Sequence, residues 1–518
     1  MSSFSPELLL SALKKKSSEL PQYAHVPDII TRRSLGLKTP LGSTDTLISS
    51  IYNSFDVRQS CRSSTFDQYQ GGIFNLEFNL DGRLLAAACE AKQVLLHDSG
   101  NQKRIKTIEN AHLKCVNCIK FLNEKTFATG SDDTLIKLWD IRNLNNCLKT
   151  LHGHRSWVKN IEWSEQDQVM VTSAFDGTIY SWNLKENSEN GMLFDKVFLM
   201  KGLMRMKLTP DSKKMIISTT SGYMIIIHDL NLLNLATDLR SFRPGLYRLM
   251  QKSHQAFPVV VSYNYLFSQK QKRNRIEFID DFPNEAECIS SLQIHPYGWC
   301  AVSRNINREI DEEWTAVHDI QERDAKEYEE AYEYVEECDI SEENETSDDE
   351  EVPNSRPTDL WMGNITLEEY MNDSTEWRPH QAEMAITNSG LIGMKASNEA
   401  YFKQHQHERN KLVKNLSRLT HYIKEKNVAK GFIKVLSFSP DGRVICSPYE
   451  SGIRLLAFSR NCQELSECIP ENARPLETIL ETNNYHRDIV VSCKFNPMHY
   501  QLVTGCLGSE IKWHQPVL

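Results

Sequence analysis

The sequence predicts an all-β protein, a seven-bladed β-propeller, and three observations lead to that prediction. A pattern of short apolar strands and polar turns recurs about every forty residues along much of the chain. One repeat ends a strand in Trp139-Asp140, which is typical of a propeller blade. Seven such units can be counted, with two long interruptions. We also expect a short helical segment at the N-terminus and a long acidic, partly disordered insertion.

The units follow one another in a constant order of strand, turn, strand and strand. Aromatic and β-branched residues are enriched in the strands, whereas Asp, Gly, Pro and Ser are enriched in the turns. The seven units span residues 74–98, 118–140, 157–182, 206–229, 289–319, 432–458 and 490–513. The last unit ends too early to contain an outer strand. Residues near 46–55 could supply that strand and close the propeller, which would leave no open sheet edge.

The second unit contains a candidate network of buried polar groups within the stretch 127–142, FATGSDDTLIKLWDIR. His112 can hydrogen-bond to the carboxylate of Asp133. The same carboxylate can accept a hydrogen bond from Ser131, and Trp139 can donate its indole N–H to the Ser131 hydroxyl. We expect this network to determine the blade geometry, but it assigns no role to Arg142.

The third unit offers a parallel set of polar side chains, namely His154, Ser173, Asp176 and Trp182. His154, Asp176 and Ser173 resemble a hydrolytic triad when they are considered alone. Their spacing within one blade favours a structural network instead.

Composition restricts the classes of partner. A hydrophobic fraction of 40% supports a sizeable core, and a net charge of −10 argues against broad binding to nucleic-acid backbones. No apolar run is long enough to cross a membrane, and the N-terminus lacks a signal-peptide cleavage pattern. We therefore expect an intracellular protein, nuclear or cytoplasmic or both, that binds neither membranes nor nucleic acid directly.

The cysteine pattern predicts reduced thiols and no cofactor. Thirteen cysteines are scattered along the chain, many in strand-like apolar settings. Cys115 and Cys118 have the spacing of half a zinc site, but no second pair accompanies them. Neither a glycine-rich phosphate loop nor a nucleophile elbow is present. The sequence therefore predicts no metal, no cofactor and no catalytic residues.

We divide the chain into an N-terminal helical segment, 1–43, a first part of the propeller, 44–319, an acidic insertion, 320–420, and the last blades, 421–518. Acidic residues dominate 322–351 so strongly that this part cannot bury enough apolar surface to order alone. Thr346 and Ser347 lie three residues before acidic positions, which makes them possible phosphorylation sites.

A second insertion, 231–287, contains the basic tract 270–275, KQKRNR. This tract could act in nuclear import or contact nucleic acid. A loop kept soluble by its charge is the favoured interpretation.

The repeats resemble the WD-repeat family over most of residues 44–518. The stretch 127–142 also resembles the box found in WD-repeat substrate receptors of cullin-four RING ubiquitin ligases, with Asp133, Trp139, Asp140 and Arg142 at its characteristic positions. In those receptors the Arg pairs with an adaptor, the damaged-DNA-binding protein called DDB-one. A guanidinium suits this role because its planar fork makes two aligned hydrogen bonds.

The resemblance extends to one subfamily, the DDB-one and cullin-four associated factor ten group. The segments that show it are RSLG (33–36), FNLE (74–77), ACE (88–90), LHGHRSWVKNIE (151–162), LMRM (203–206), HYI (421–423) and SGIRLL (451–456). The resemblance implies that a helix, 28–36, docks into the adaptor. Ile29, Ile30 and Leu35 would be its apolar anchors and Arg33 a polar one. The third unit departs from the box, since it ends in Trp182-Asn183-Leu184-Lys185.

The resemblance implies a substrate-recognition subunit of a cullin-four RING E3 ubiquitin ligase, one that binds DDB-one and an unknown protein substrate and is not itself an enzyme. The alternative is a WD-repeat scaffold, or a peptide- or chromatin-binding protein, of another pathway. The loops 231–287 and 320–420 are the candidate specificity elements.

Overall fold

The computed structural model describes residues 31, 34–36, 43–61, 70–188, 191–240, 242–253, 275–307, 309–322, 416–426, 433–465 and 472–517. They form seven sheets, and each sheet is one blade of a β-propeller. The predicted fold class is therefore confirmed for the propeller. The first strands of successive blades contact one another around the central axis. Within the described ranges, no helix is long and apolar enough to cross a membrane.

Three blades follow one another without a long interruption. They contain β2 (Ile73–Phe78), β3 (Leu84–Cys89), β4 (Val94–Asp98) and β5 (Arg104–Ile108); β6 (Val116–Phe121), β7 (Thr126–Ser131), β8 (Ile136–Asp140) and β9 (Lys149–Leu151); and β10 (Val158–Ser164), β11 (Val169–Ala174), β12 (Thr178–Ser188) and β13 (Gly191–Leu199). Small residues in the second strands allow neighbouring blades to approach. A Cβ atom at Gly130, for example, would lie 2.7 Å from both Cys118 Sγ and a methyl carbon of Val158.

The next three blades include the long connections. They contain β14 (Leu203–Leu208), β15 (Met215–Thr219), β16 (Met224–Ile227) and β17 (Ile276–Ile279); β18 (Cys288–Ile294), β19 (Cys300–Asn307), β20 (Glu312–Asp319) and β21 (Leu419–Glu425); and β22 (Ser437–Phe438), β23 (Val444–Tyr449), β24 (Gly452–Ala457) and β26 (Glu477–Thr482). The short strand β25 (Arg474–Pro475) pairs in parallel with β21.

The seventh blade closes the propeller with strands from both parts of the chain. It contains β27 (Val490–Phe495), β28 (Leu502–Cys506), β29 (Ile511–Pro516) and β1 (Phe55–Cys61). The expectation that an early segment supplies the outer strand is correct, but its position is not 46–55. Residues Ser43–Asn53 form helix α1 instead. Leu47, Ile48, Ile51 and Tyr52 recur with helical spacing and pack on the core of the last two blades.

Helix α1 is held against the sixth blade by polar contacts. Tyr52 donates a hydrogen bond of 2.8 Å to Asp441, which lies in the turn between β22 and β23. Arg443 donates to Asp45 at 2.8 Å and to Glu464 at 2.7 Å. The start of the described propeller is therefore fixed to its last blades.

The segment 231–287 contains regular structure that belongs to the fourth blade. After β16 come a 3₁₀ turn (Leu232–Asn234), helix α2 (Leu235–Asp238) and helix α3 (Pro244–Ser253), and then the outer strand β17. Of the basic tract 270–275, only Arg275 is described. Its Nη1 donates to Asp238 at 2.9 Å and its Nη2 to the carbonyl of Asp229 at 3.0 Å. Arg275 therefore contributes to the fold.

The acidic segment separates the third and fourth strands of the fifth blade. The described chain stops at Glu322 and resumes at 416, so Thr346 and Ser347 lie outside the described residues. Arg418 anchors the start of β21, because its buried side chain donates a hydrogen bond of 2.7 Å to Glu277. The amides of Arg418 and Leu419 both donate to Asp281, at 2.6 and 2.8 Å.

Charged side chains from the first strands form a chain of ion pairs around the axis. Lys494 lies 2.7 Å from Glu77, and Lys207 lies 2.7 Å from Glu162. Lys120 stands between these two carboxylates at 3.8 Å from each. Five successive blades, from the seventh to the fourth, are thereby linked by alternating charge.

The described cysteines agree with the expectation of reduced thiols. Ten cysteines whose side chains are described are all free, and eight of them are buried. No disulfide is formed among them.

Candidate adaptor-binding surface

The two ends of the propeller are distinguished by the turns they carry. Strands in each blade alternate in direction, so the turns between first and second strands and between third and fourth strands share one end. Arg142 follows β8, the third strand of its blade, and we call this the Arg142 end. His112 precedes β6, a first strand, and therefore lies at the opposite end, the His112 end.

Asp140 holds the guanidinium of Arg142 in a bidentate arrangement. Nε of Arg142 donates to Oδ1 at 2.9 Å, and Nη2 donates to Oδ2 at 2.5 Å. The backbone N–H of Arg142 also donates to Oδ1, at 2.9 Å, which tightens the turn. These hydrogen bonds lower the pKa of Asp140 to about 2. Asp140 is thus occupied locally and orients Arg142.

The oriented guanidinium still faces solvent. The Arg142 side chain is 67% exposed, whereas that of Asp140 is 11% exposed. A guanidinium has five N–H donors, and the contact with Asp140 uses only Nε and one N–H of Nη2. The remaining donors are available for carbonyl or carboxylate oxygens of a partner.

The N-terminal segment is described only at its C-terminal turn. The amide of Leu35 donates to the carbonyl of Thr31 at 3.0 Å, and Gly36 adopts a φ of +67°. This is the helix end at glycine that the sequence predicts, because a residue with a side chain is disfavoured at positive φ. Leu35 is 67% exposed. Ile29, Ile30 and Arg33 lie outside the described residues.

Helix α1, which follows this segment in the sequence, packs at the Arg142 end. Its partner Asp441 lies in a turn between first and second strands, which belongs to that end by topology. The long connections 228–275 and 320–418 also leave from this end, since each joins a third to a fourth strand. Arg142, α1 and the described ends of both long connections therefore share one end of the propeller.

The polar network of the second blade is partly as predicted. His112 Nδ1 lies 3.0 Å from Asp133, as expected. Burial raises the pKa of Asp133, but the hydrogen bonds from His112 and the Leu113 amide outweigh it and lower the pKa to about 2. The predicted bond from Trp139 to Ser131 is wrong, because the indole donates to Thr129 at 2.9 Å.

The strand register explains this difference. Trp139 stands directly opposite Phe127, so its indole reaches the diagonal neighbour Thr129 on the same face. The hydroxyl of Thr129 also lies 2.7 Å from His112 Nε2. Ser131 lies two residues further along the strand, where its Oγ accepts from the amide of Asp133 at 3.1 Å.

The third blade repeats the arrangement around Thr172. Trp182 donates to Thr172 at 2.8 Å, and His154 Nε2 lies 2.8 Å from the same hydroxyl. The assignment of Ser173 to this network is wrong, because its hydroxyl accepts from Asn160 on the opposite face of the strand. Asp176 reaches His154 only through the hydroxyl of Thr178. The described contacts therefore join no Ser173–His154 pair of the kind a hydrolytic triad needs.

Comparison with known proteins places the chain in a family. Residues 102–140 and 145–183 match the model of the WD domain, G-beta repeat. DDB1- and CUL4-associated factor 10 of Xenopus tropicalis is 34% identical over 500 residues, which are 90% of each chain. The protein of the same name in Homo sapiens is 34% identical over 94% of this chain and 77% of its own. The chain belongs to the DDB1- and CUL4-associated factor 10 family.

Two further matches are a third relative and a solved structure. DDB1- and CUL4-associated factor 10 of Danio rerio is 36% identical over 87% of this chain and 75% of its own length. The beta-propeller domain of Cps50 (Swd1) from Myceliophteria thermophila is a similar solved structure, with 10% identity and a TM-score of 0.48, covering 90% of this chain and all of that one. The family model and the relatives confirm the resemblances to the WD-repeat family and to associated factor ten.

The His112 end carries an exposed aromatic surface that sequence reasoning missed. Trp157 and Phe175 are 45% and 52% exposed, and their ring centroids lie 5.5 Å apart. The Nζ atom of Lys159 stands 4.2 Å from the centroid of Phe175. Burial and the nearby Arg205 lower the pKa of Lys159 to about 8, against the opposing effect of Asp132. We call Trp157, Lys159 and Phe175 the Trp157 patch.

The sequence contained a weak signal for the Trp157 patch. Trp157 lies between two blades and Phe175 in a tight turn, where the fold needs no large apolar side chain. Exposed aromatic residues that are not required by the fold are typical of binding surfaces. Their proximity is visible only once β10 and β11 are paired.

Proposed function

We propose that this protein is a substrate-recognition subunit of a cullin-four RING ubiquitin ligase. In this proposal the Arg142 end binds the adaptor DDB-one (DDB1), and the protein presents a substrate for ubiquitination. The observation that carries the proposal is the exposed guanidinium of Arg142, oriented by Asp140. Relatives that are similar along most of this chain are named for association with DDB1 and CUL4.

Two contacts would act together on the adaptor. Arg142 would donate to carbonyl or carboxylate oxygens with the N–H groups that Asp140 leaves unused. The helix that ends at Gly36 would add apolar contacts through Leu35, Ile29 and Ile30, with Arg33 at its polar edge. Because α1 ties this helix to the Arg142 end, the second contact forms at a raised effective concentration.

The protein would act without catalytic residues of its own. A receptor accelerates ubiquitin transfer by holding the substrate close to the ligase's catalytic module. The Trp157 patch supports a location for the substrate, since it lies at the end opposite to Arg142. Adaptor and substrate would then bind without competing for one surface.

The decisive measurement is the affinity of the purified full chain for DDB1. Arg142→Ala should weaken binding about 30-fold or more, the loss expected for a central arginine contact. Lys185→Ala is the matched control, because Lys185 occupies the corresponding position of the third blade, within β12, and is exposed. It should bind like the wild type.

A double variant tests the site as a whole. Arg142→Ala combined with Ile30→Asp should abolish detectable DDB1 binding while the thermal unfolding curve stays unchanged. Full binding by this folded variant would refute the site assignment. Absence of DDB1 from wild-type complexes isolated from cells would refute the function and favour a WD-repeat scaffold of another pathway.

A further inference from the structure

Three side chains of types that bind metal ions lie close together inside the seventh blade, which we call the closing blade. They are His486, in the connection that precedes β27, Cys506 at the end of β28 and Glu510 just before β29. All three are buried, and one ligand atom of each lies within 4.8 Å of the other two. We propose that His486, Cys506 and Glu510 form a zinc-binding site that fastens the closing blade.

One ring nitrogen of His486, Nδ1, is buried and makes no hydrogen bond within the described fold. Its side chain is 1% exposed, and its Nε2 lies 2.7 Å from the hydroxyl of Thr504. Within the described part of the chain, Nδ1 has no hydrogen-bond partner. The nearest carboxylate oxygen, Oε2 of Glu510, is 3.9 Å away, beyond hydrogen-bond distance. Buried polar atoms without a hydrogen-bond partner are few in native proteins, and a bound ion is one explanation for them.

In the second blade, the histidine that corresponds to His486 is His112, and its hydrogen bonds differ from those of His486. There Asp133 lies 3.0 Å from Nδ1 of His112 and takes its proton, which leaves Nε2 to accept from Thr129. The second blade also has Trp139, whose indole can only donate to Thr129. The chain of hydrogen bonds therefore runs in one direction, towards Asp133.

In the closing blade, the hydrogen bonds around Thr504 can run in the opposite direction, from His486 towards His514. His514 replaces the tryptophan, and its Nε2 lies 2.9 Å from Thr504. Unlike an indole, an imidazole can accept, so Thr504 can donate to His514 and accept from Nε2–H of His486. Nδ1 of His486 is then unprotonated and able to bind a metal.

Cys506 is placed to act as a thiolate ligand. Its side chain is buried, and its backbone N–H donates to the carbonyl of Glu510 at 3.2 Å, which places these two proposed ligands side by side. A divalent cation would displace the thiol proton, as zinc does in proteins. One thiolate, one carboxylate and one neutral imidazole together balance the charge of Zn²⁺.

The dimensions and ligand types fit zinc. In a tetrahedral site with bonds of about 2.0–2.3 Å, the ligand atoms lie about 3.3–3.8 Å apart, so a contraction of about 1 Å is needed. A mixture of nitrogen, sulfur and oxygen ligands favours zinc over magnesium or calcium. Asp488, whose charge also raises the pKa of Cys506, is the candidate for the fourth ligand. Arg487 now lies 3.6 Å from Glu510, and it is 71% exposed and can turn away.

The experiment uses the full chain, stripped of metal and titrated with Co²⁺ as a spectroscopic probe for Zn²⁺. We expect one equivalent to bind with an intense thiolate-to-cobalt absorption band. The band should disappear in Cys506→Ser, and Zn²⁺ should displace Co²⁺. Cys89→Ser is the matched control, because Cys89 occupies the same position in the first blade, where Gln93 stands at the place of Glu510. It should bind like the wild type.

Two conservative variants guard against a folding defect in Cys506→Ser. Glu510→Gln should weaken Co²⁺ binding although it keeps the side-chain shape. Thr504→Val should lower the affinity about 10- to 100-fold, as expected when a hydrogen bond that orients a ligand is lost. Absence of stoichiometric Co²⁺ and Zn²⁺ binding by the wild type, or unchanged binding by both Cys506→Ser and Glu510→Gln, would overturn the proposal.

Discussion

The carboxylate of Asp140 receives both Nε and Nη2 of Arg142, at 2.9 and 2.5 Å, so the proposed adaptor-binding arginine is oriented before any partner arrives. Because this long side chain is ordered before binding, the free-energy cost of ordering it on binding is avoided, which is about 0.5–1.5 kcal/mol for a typical side chain. Asp140→Asn keeps an acceptor for the backbone amide but weakens the bidentate contact. It should therefore lower DDB1 affinity about 3- to 10-fold, measured by calorimetry, while Arg142 is intact.

The corresponding residue in the third blade provides the control for this prediction. Asn183 accepts from the amide of Lys185 at 3.1 Å, as Asp140 accepts from the amide of Arg142, but it lies within β12. Asn183→Ala should leave DDB1 affinity unchanged. A loss in Asp140→Asn as large as in Arg142→Ala would contradict an orienting role and indicate that Asp140 contacts the adaptor itself.

Thr129 and Ser131 should differ in their effect on stability. Thr129→Val leaves the indole of Trp139 and Nε2 of His112 without their shared partner, and both groups are buried. The expected cost is about 1–3 kcal/mol. Ser131→Ala removes only the acceptor for one turn amide and should cost less. Denaturant unfolding measures both variants, and the reverse order would contradict the register argument.

Stability should fall as the pH is lowered from neutral. Burial lowers the pKa of His97 to about 4 in the folded protein, against about 6.5 in the unfolded chain. Between these values the unfolded state binds the proton and the folded state does not, so the free energy of unfolding decreases with decreasing pH. For this one group the loss at pH 5 is about 2 kcal/mol.

His97→Gln tests this proton linkage, because glutamine keeps a polar group and cannot be protonated. The variant should lose less stability between pH 7 and pH 5 than the wild type, as followed by thermal unfolding at each pH. An equal loss in both proteins would show that His97 does not contribute to the pH dependence.

The Trp157 patch should serve the substrate and not the adaptor. Trp157→Ala together with Phe175→Ala removes two exposed rings at the His112 end, so DDB1 affinity should change less than twofold. Proximity labelling under proteasome inhibition should recover, around this double variant, fewer of the proteins that accumulate around the wild type. Unchanged labelling would place the substrate elsewhere, and lost DDB1 binding would place the adaptor on this end.

The sequence predicted the propeller well because each blade repeats the same alternation of apolar strand and polar turn. It could not choose between Thr129 and Ser131, since both hydroxyls lie two residues apart on one face and only the pairing of β7 with β8 selects one. The closing strand was misplaced for a similar reason. Residues 46–53 are apolar at positions compatible with a short strand, and packing on the last blades makes them helical.

The candidate sites depended even more on tertiary structure. Arg142 was recognisable within a local motif, but its bidentate contact with Asp140 was not. His486, Cys506 and Glu510 come from three separate elements, and no spacing rule marks them as a set. Trp157 and Phe175 likewise meet only through the pairing of their strands.

The pairing of β1 with β29 sets an order of events during synthesis. The outer strand of the seventh blade, Phe55–Cys61, leaves the ribosome early and must wait for Ile511–Pro516 before it has a neighbour. Helix α1 waits as well, because Asp441, its partner, is also made late. A nascent or prematurely terminated chain thus cannot anchor α1, and only a finished propeller holds α1 at the Arg142 end.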